Sequence, residues 1–373
     1  MSAVNQVYDP LGHLAFELGS AETKKIDVNV KLRRKSNVLV GLGIFFNVLS
    51  ESISVTFDIK RDGDSLINGP QIFVKEAPGI GGEYAVPYAL VDEVGSGKHK
   101  YSLELHNSGE DTIKIDHYSF SVKKIDNFAV NQKFIAYGDV PVEIKGKSKK
   151  NISIVLERSR KGGGFLYFSA SVNNSGGQQI SFNILKNGMS ITNGSHNLVA
   201  LAGIYVVNWG HVDCNSEGSK YQFVLENNGV SSIQVMSYSF IGIRSATIAS
   251  NALYGVAPNI VKSFPPSLAT EFKLKGFGGV NTISLNFEVG FVSANANIYY
   301  NIVRDDGVSV TNGPQPWVLS FGDTTTETIS TNNIIVDQCA PETTKFYTIE
   351  MINQDSVAVI VPFYSITNIK FDI

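Results

Sequence analysis

Three aspartates stand at matching places in the chain: Asp92 in YALVDEV, Asp213 in NWGHVDCN and Asp337 in NIIVDQCA. A repeated carboxylate could serve a hard cation, which wants several oxygen ligands. No further carboxylate cluster recurs beside them, and an aspartate closing a strand caps the following turn through its own backbone. Turn capping is therefore the expected role. Asp62 and Asp64 around Gly63, and Asp305 with Asp306, resemble a calcium loop, but their counterparts Asn187 and Met189 remove the carboxylates. No metal site is expected. Trp209 and Trp317 could stack on sugars, yet they do not recur, and a tryptophan in a β-domain commonly packs inside. Cys214 and Cys339 follow the recurrent aspartates closely. They could form a disulfide if repeats pack around an axis; bridge geometry is demanding, and two independent thiols are the expectation.

Catalytic patterns are missing. The six histidines, His13, His99, His106, His117, His196 and His211, do not occupy matching positions with partner acids. The chain has no G-x-S-x-G elbow, P-loop, H-E-x-x-H or dinucleotide fingerprint. No catalytic residue and no cofactor are assigned, and the chain is expected not to be an enzyme.

The elements that would hold these residues are written three times. FDIKRDGDSLING (57–69), FNILKNGMSITNG (182–194) and YNIVRDDGVSVTNG (300–313) each place a glycine after Asp or Asn and a second glycine six residues later. The pairs are Gly63 and Gly69, Gly188 and Gly194, Gly307 and Gly313. Such dipeptides supply the positive φ of a tight hairpin turn. The intervening residues predict a short return strand, with register setting the spacing. Each phrase is followed by the aspartate strand, an alternating strand with Tyr101, Tyr221 or Tyr347, and a closing Tyr-Ser strand. Gly63 to Gly188 spans 125 residues and Gly188 to Gly307 spans 119, so the period is a whole domain.

This order predicts an all-β protein of three tandem homologous β-sandwich, jelly-roll-like domains at 1–128, 129–248 and 249–373. IDNFAVNQKFIAYGDVP and SATIASNALYGVAPNIVKSFPPS are the expected linkers. Alternation in YSLELHN and ISVTFDIK predicts strands with one buried face. NVLVGLGIFFNV (37–48) is nearly all apolar and predicts a central strand covered on both sides. No segment carries a helical period over ten residues.

With 373 residues, 43% hydrophobic and 17% charged, and a net charge of −3, the chain offers no broad basic face. Nucleic acid is not an expected partner. KLRRK (31–35) and KGKSKK (145–150) are expected to be solvated charge guarding strand edges. No apolar run is long enough for a membrane helix, so membrane insertion is not expected. The first residues lack a basic, then apolar, signal pattern.

The succession ILKNG-SI-NG, then VD, then YQF-LEN, then a closing aromatic strand resembles compact jelly-roll modules of spore-forming bacteria. These are broadly tumour-necrosis-factor-like and occur on spore surfaces, in collagen-like glycoproteins and in appendages. This chain departs from them in lacking a Gly-X-Y stretch and a cysteine-rich end. The resemblance implies a non-enzymatic surface or assembly role, often trimeric, with self-association or other surface proteins as partners. Localisation would be the outer surface of a spore, cell or particle, without a classical signal peptide. A multivalent lectin or adhesin that binds glycans is the alternative, with domain triplication raising avidity. Such a lectin should repeat its site residues, whereas turn and core positions are what recur.

Overall fold

Period-two alternation dictates a strand with one wet and one dry face. The strand Thr23–Leu32 obeys it, burying Ile26, Val28, Val30 and Leu32 and exposing Lys25, Asp27, Asn29 and Lys31. The structure, a computed structural model, describes residues 4–9, 16–48, 54–75, 82–125, 129–135, 139–156, 162–192, 194–197, 203–216, 219–245, 248–256, 262–264, 269–290, 298–311, 313–318, 328–354 and 358–371.

The first stretch holds β1 (Val4–Asp9), β2 (Phe16–Leu18), β3 (Thr23–Leu32), β4 (Ser36–Val48), β5 (Ser54–Arg61), β6 (Asp64–Ser65), β7 (Gln71–Lys75), β8 (Gly82–Val94), β9 (Gly97–Asn107) and β10 (Ile113–Lys124). The second holds β11 (Ala129–Ile135), β12 (Val142–Ile144), β13 (Ser148–Leu156), β14 (Gly162–Asn174), β15 (Ile180–Lys186), β16 (Met189–Ser190), β17 (His196–Asn197), β18 (Gly203–Ser216), β19 (Ser219–Asn227) and β20 (Ile233–Ser245). The third holds β21 (Ile248–Val256), β22 (Lys262–Phe264), β23 (Ala269–Lys275), β24 (Gly279–Gly290), β25 (Ile298–Arg304), β26 (Gln315–Val318), β27 (Thr328–Ala340), β28 (Phe346–Asn353) and β29 (Val359–Phe371).

One pairing scheme recurs. A first sheet runs β1-β10-β4-β8, then β11-β20-β14-β18, then β21-β29-β24-β27. A second runs β3-β9-β5-β7, then β13-β19-β15 with β16 and β17, then β23-β28-β25-β26. Apart from the opening strands and the central hairpin of each unit, β5–β7, β15–β17 and β25–β26, consecutive strands therefore alternate between two facing sheets, which is jelly-roll order. Between the sheets lie three separate hydrophobic cores, spanning Leu18 to Val122, Ile144 to Phe240 and Phe272 to Ile366. Each fully buried apolar side chain there contributes about 1.5–3 kcal/mol. The architecture is all-β, as composition and periodicity require.

The segments expected as linkers contain strands: β11 and β21 begin the next sandwich directly and pair with its closing strand. The first two sandwiches also join. β7 pairs with β5 on one side and with β18 on the other, through Ile204↔Lys75 and Tyr205↔Val74, fusing two sheets into one of ten strands. A fourth core seals this joint, with Ala89 and Ile125 of the first sandwich against Phe165, Tyr167, Ile241 and Ile243 of the second. Leu39 packs against it while Val38, Val40 and Leu42 face the first core, so β4 is covered on both sides.

The contacts continue around. β17 meets β27, β26 meets β8, and β8, β18 and β27 meet one another. The fifth major strand of each sandwich thus reaches the sixth of the next, and the third returns to the first. β3, β13 and β23 remain as edges, where Lys24 sits over Phe16 and Lys273 over Phe346.

Candidate functional site

The three recurrent aspartates sit at one end of each sandwich, near the close of β8, β18 and β27. Across from them the second sheet sets a basic residue directly opposite a tyrosine: Arg61↔Tyr101, Lys186↔Tyr221 and Arg304↔Tyr347. Each aspartate reaches over to both. Tyr101 donates to Asp92 at 2.8 Å, Tyr221 to Asp213 at 2.7 Å and Tyr347 to Asp337 at 2.8 Å. The cations close the group: Arg61 Nη1 lies 2.6 Å from Asp92, Lys186 Nζ 2.8 Å from Asp213, and Arg304 Nη1 3.5 Å from Asp337. The aspartates bond across the sandwich. Burial, reinforced by the neighbouring aspartate, pushes all three phenols far above the ordinary tyrosine range, so they stay protonated donors. The arrangement is a sheet-to-sheet clamp made three times.

The turns beside the clamp are equally built. Asp62 and Gly63 have φ of 53° and 102°, Asn187 and Gly188 of 50° and 87°, the left-handed pair a two-residue hairpin loop needs. The third phrase carries one more residue before its glycine, and its loop is wider: Arg304 N–H donates to Val308 O, with Gly307 alone at positive φ, 83°. The first turn residue then ties down the next hairpin. Lys100 N–H donates to Asp62 Oδ1, Lys220 N–H to Asn187 Oδ1 and Lys345 N–H to Asp305 Oδ2.

The six-residue spacing is held by more than pairing register. The return strands β6 and β16 are two residues long. What recurs is a serine hydroxyl that accepts from the second glycine's N–H: Ser65 from Gly69 at 2.8 Å, Ser190 from Gly194 at 2.8 Å, Ser309 from Gly313 at 2.7 Å. The same hydroxyls donate to Asp58, Asn183 and Asn301. Backbone pairing continues past these strands, with Leu66 N–H donating to Ile59 O, Ile191 N–H to Ile184 O and Val310 N–H to Ile302 O, and the serine adds a second tie. At the far end, buried Asn107 donates to the carbonyls of Leu18 and Asp111, and Asn227 to those of Ile144 and Ser231.

Trp209 is 1% exposed, its ring 4.6 Å from Phe182 inside the second core, so it presents no face to a sugar. The side chains of Trp317 on β26, Cys214 on β18 and Cys339 on β27 lie outside the described residues, as does Asn193. Among the described residues, no group of three or more His, Cys, Asp or Glu is placed to hold a metal ion. No helix among them is long and apolar enough to cross a membrane.

No family model matches the chain, and no curated protein matches it in sequence. Solved structures do superpose. A triple jelly-roll protein of an archaeal virus turret covers 98% of this chain and 89% of its own length, with 11% identity and a TM-score of 0.25. The STIV major capsid protein matches 65% of this chain and 97% of its own, at 10% identity and a TM-score of 0.26. A tandem CBM22 domain from Paenibacillus barcinonensis Xyn10C matches 64% and 91%, at 12% identity and 0.22. With every score below 0.5, the fold assignment rests on this chain's own strands and cores.

Proposed function

We propose that this chain is a non-enzymatic structural protein, a three-jelly-roll subunit of a surface or appendage assembly of a spore, cell or phage. In this reading it folds as an intramolecular pseudo-trimer of domains at 1–128, 129–248 and 249–373. One observation carries the proposal. The polar residues that recur, Asp92, Asp213 and Asp337 with their tyrosines and cations, are consumed inside the sandwiches by bonds that hold sheet to sheet. Repetition therefore serves the scaffold. The contacts of β7 with β18, β17 with β27 and β26 with β8 support the closed arrangement, since a head-to-tail contact used three times closes a ring.

Small-angle scattering tests the pseudo-trimer: a compact three-lobed particle is expected, and an elongated string of three beads rejects it. Electron microscopy of concentrated protein tests the assembly role. Ordered polymers or sheets support it, and a dispersed monomer at every concentration overturns it. Binding on a glycan array, with no assembly, would move the assignment to the lectin reading.

A further inference from the structure

Among the described side chains, the second sandwich contains a pair of buried histidines that its sisters lack. His196 on β17 and His211 on β18 are both buried in it, 7% and 3% exposed. His211 shares the inner face of β18 with Trp209 and Asp213, and Phe182 bridges towards His196, its ring 4.6 Å from Trp209 and 5.7 Å from His196. Strand register identifies the matching residues elsewhere. His211 stands opposite Leu166, where the first sandwich sets Leu90 opposite Val40 and the third sets Ile335 opposite Ile283. His196 takes the place of Gln71 and Gln315. All three make the same bond, from a side-chain nitrogen to the carbonyl four residues back: His196 to Thr192, Gln71 to Ile67, Gln315 to Thr311. The fold thus has no need of imidazole at either position.

The location matters as much as the residue type. β17 meets β27 of the third sandwich, and β18 meets β7, β8 and β27. The two imidazoles therefore sit on the strands by which the second sandwich holds both neighbours. We propose that buried His211 is an acid-sensitive switch, whose protonation loosens the second sandwich and opens its seams while the other two sandwiches stay closed.

The electrostatics around His211 agree. Inside the sandwich, the titratable groups acting on His211 are Asp213 from its own strand and His196 from β17; Lys186 from β15 and Tyr221 from β19 gather on Asp213, and Arg244 from β20 lies by Tyr221. β14 presents Leu166 opposite His211. Asp213 is already bonded to Tyr221 and Lys186. The neighbouring units meet β18 from outside the sandwich; of their described charged residues, Asp92 on β8 and Asp337 on β27 bond within their own sandwiches, while Glu93 lies on β8 and Lys370 on β29. Burial pulls the His211 imidazole down to about 4, with His196 adding to the fall and Asp213 opposing it. An unfolded histidine titrates near ~6.5. The unfolded or opened state therefore takes the proton first. Stability is complete above that value and is lost progressively as pH falls towards 4. A charge forced into the aromatic core would have no water to solvate it.

Hydrogen exchange of the full chain, resolved by segment and corrected for intrinsic rates, tests this between pH 7.5 and 4.5. Opening of β15, β17 and β18 should rise towards ~tenfold per pH unit below about pH 6, with β4, β8, β24 and β27 changing far less. The double variant His196→Gln, His211→Leu installs the residues of the first sandwich and should keep protection at pH 7.5 while abolishing the acid response. Flat protection, an equal response in all three sandwiches, or an unchanged response in the double variant would overturn the proposal. NMR titration of the wild-type imidazoles is independent of whether that variant folds. A His211 ring that stays neutral down to pH 5 supports the switch, and one that titrates near 6.5 in the folded chain sinks it.

Discussion

The first and second sandwiches share a strand order, a clamp and a serine-centred loop, yet differ in the polar residues set around them. The first has Gln71 and Leu90 where the second has His196 and His211, and Asp58 where the second has Asn183. The shared set marks what the fold requires: a donor, an acid and a cation joining two sheets, and a hydroxyl holding a loop. The unshared set is free to vary, and it is there that individual behaviour is written.

The largest test removes a shared part from both. Asp92→Ala and Asp213→Ala each leave a tyrosine and a cation without their acceptor, and each should cost about 3 kcal/mol in denaturant unfolding. A large loss in one sandwich and none in the other would break the equivalence. Next come the buried asparagines: Asn107→Ala and Asn227→Ala strand the carbonyls they serve and should each cost about 2 kcal/mol. Gly63→Ala and Gly188→Ala put a Cβ at φ of 102° and 87° with no atom within 4 Å of it. Backbone strain alone should then cost about 1 kcal/mol in each.

The smallest effect sharpens the difference between the sandwiches. Burial raises the Asp58 carboxyl above its usual range, with the Ser65 bond and Lys60 opposing. A raised carboxyl stabilises the fold at low pH, and that contribution is lost as pH rises through the shifted value. Asp58→Asn, which installs the residue of the second sandwich, should therefore raise the unfolding midpoint at pH 7 and lose its advantage near pH 3.

Turns and core periodicity were legible from the residues because both are local. Asp62-Gly63 and Asn187-Gly188 announce their dihedral angles, and Ile26, Val28 and Val30 announce a face. The clamp was half visible. Asp92 and Tyr101 were seen to recur, but Arg61, Lys186 and Arg304 escaped because two residue types fill the position and the third phrase is a residue longer. The serine escaped because its bond links the two ends of a loop, a contact that no residue type announces. Nothing local announces that β7 will pair with β18. That pairing depends on how two finished sandwiches dock, and Val74 and Tyr205 carry no mark of it.

The fused sheet also has a history in time. β7 leaves the ribosome about 130 residues before Ile204 and Tyr205, its second set of partners. At ~5–20 residues per second, that is a wait of roughly 7–25 s with one ladder edge of β7 open. Once β10 has followed, the first sandwich is a finished fold with an unfinished flank for the rest of that interval. A longer nascent chain on the same message, with β18 already out, presents that strand to the flank, so synthesis rate and polysome spacing bear on whether β7 pairs within its own chain or with another's.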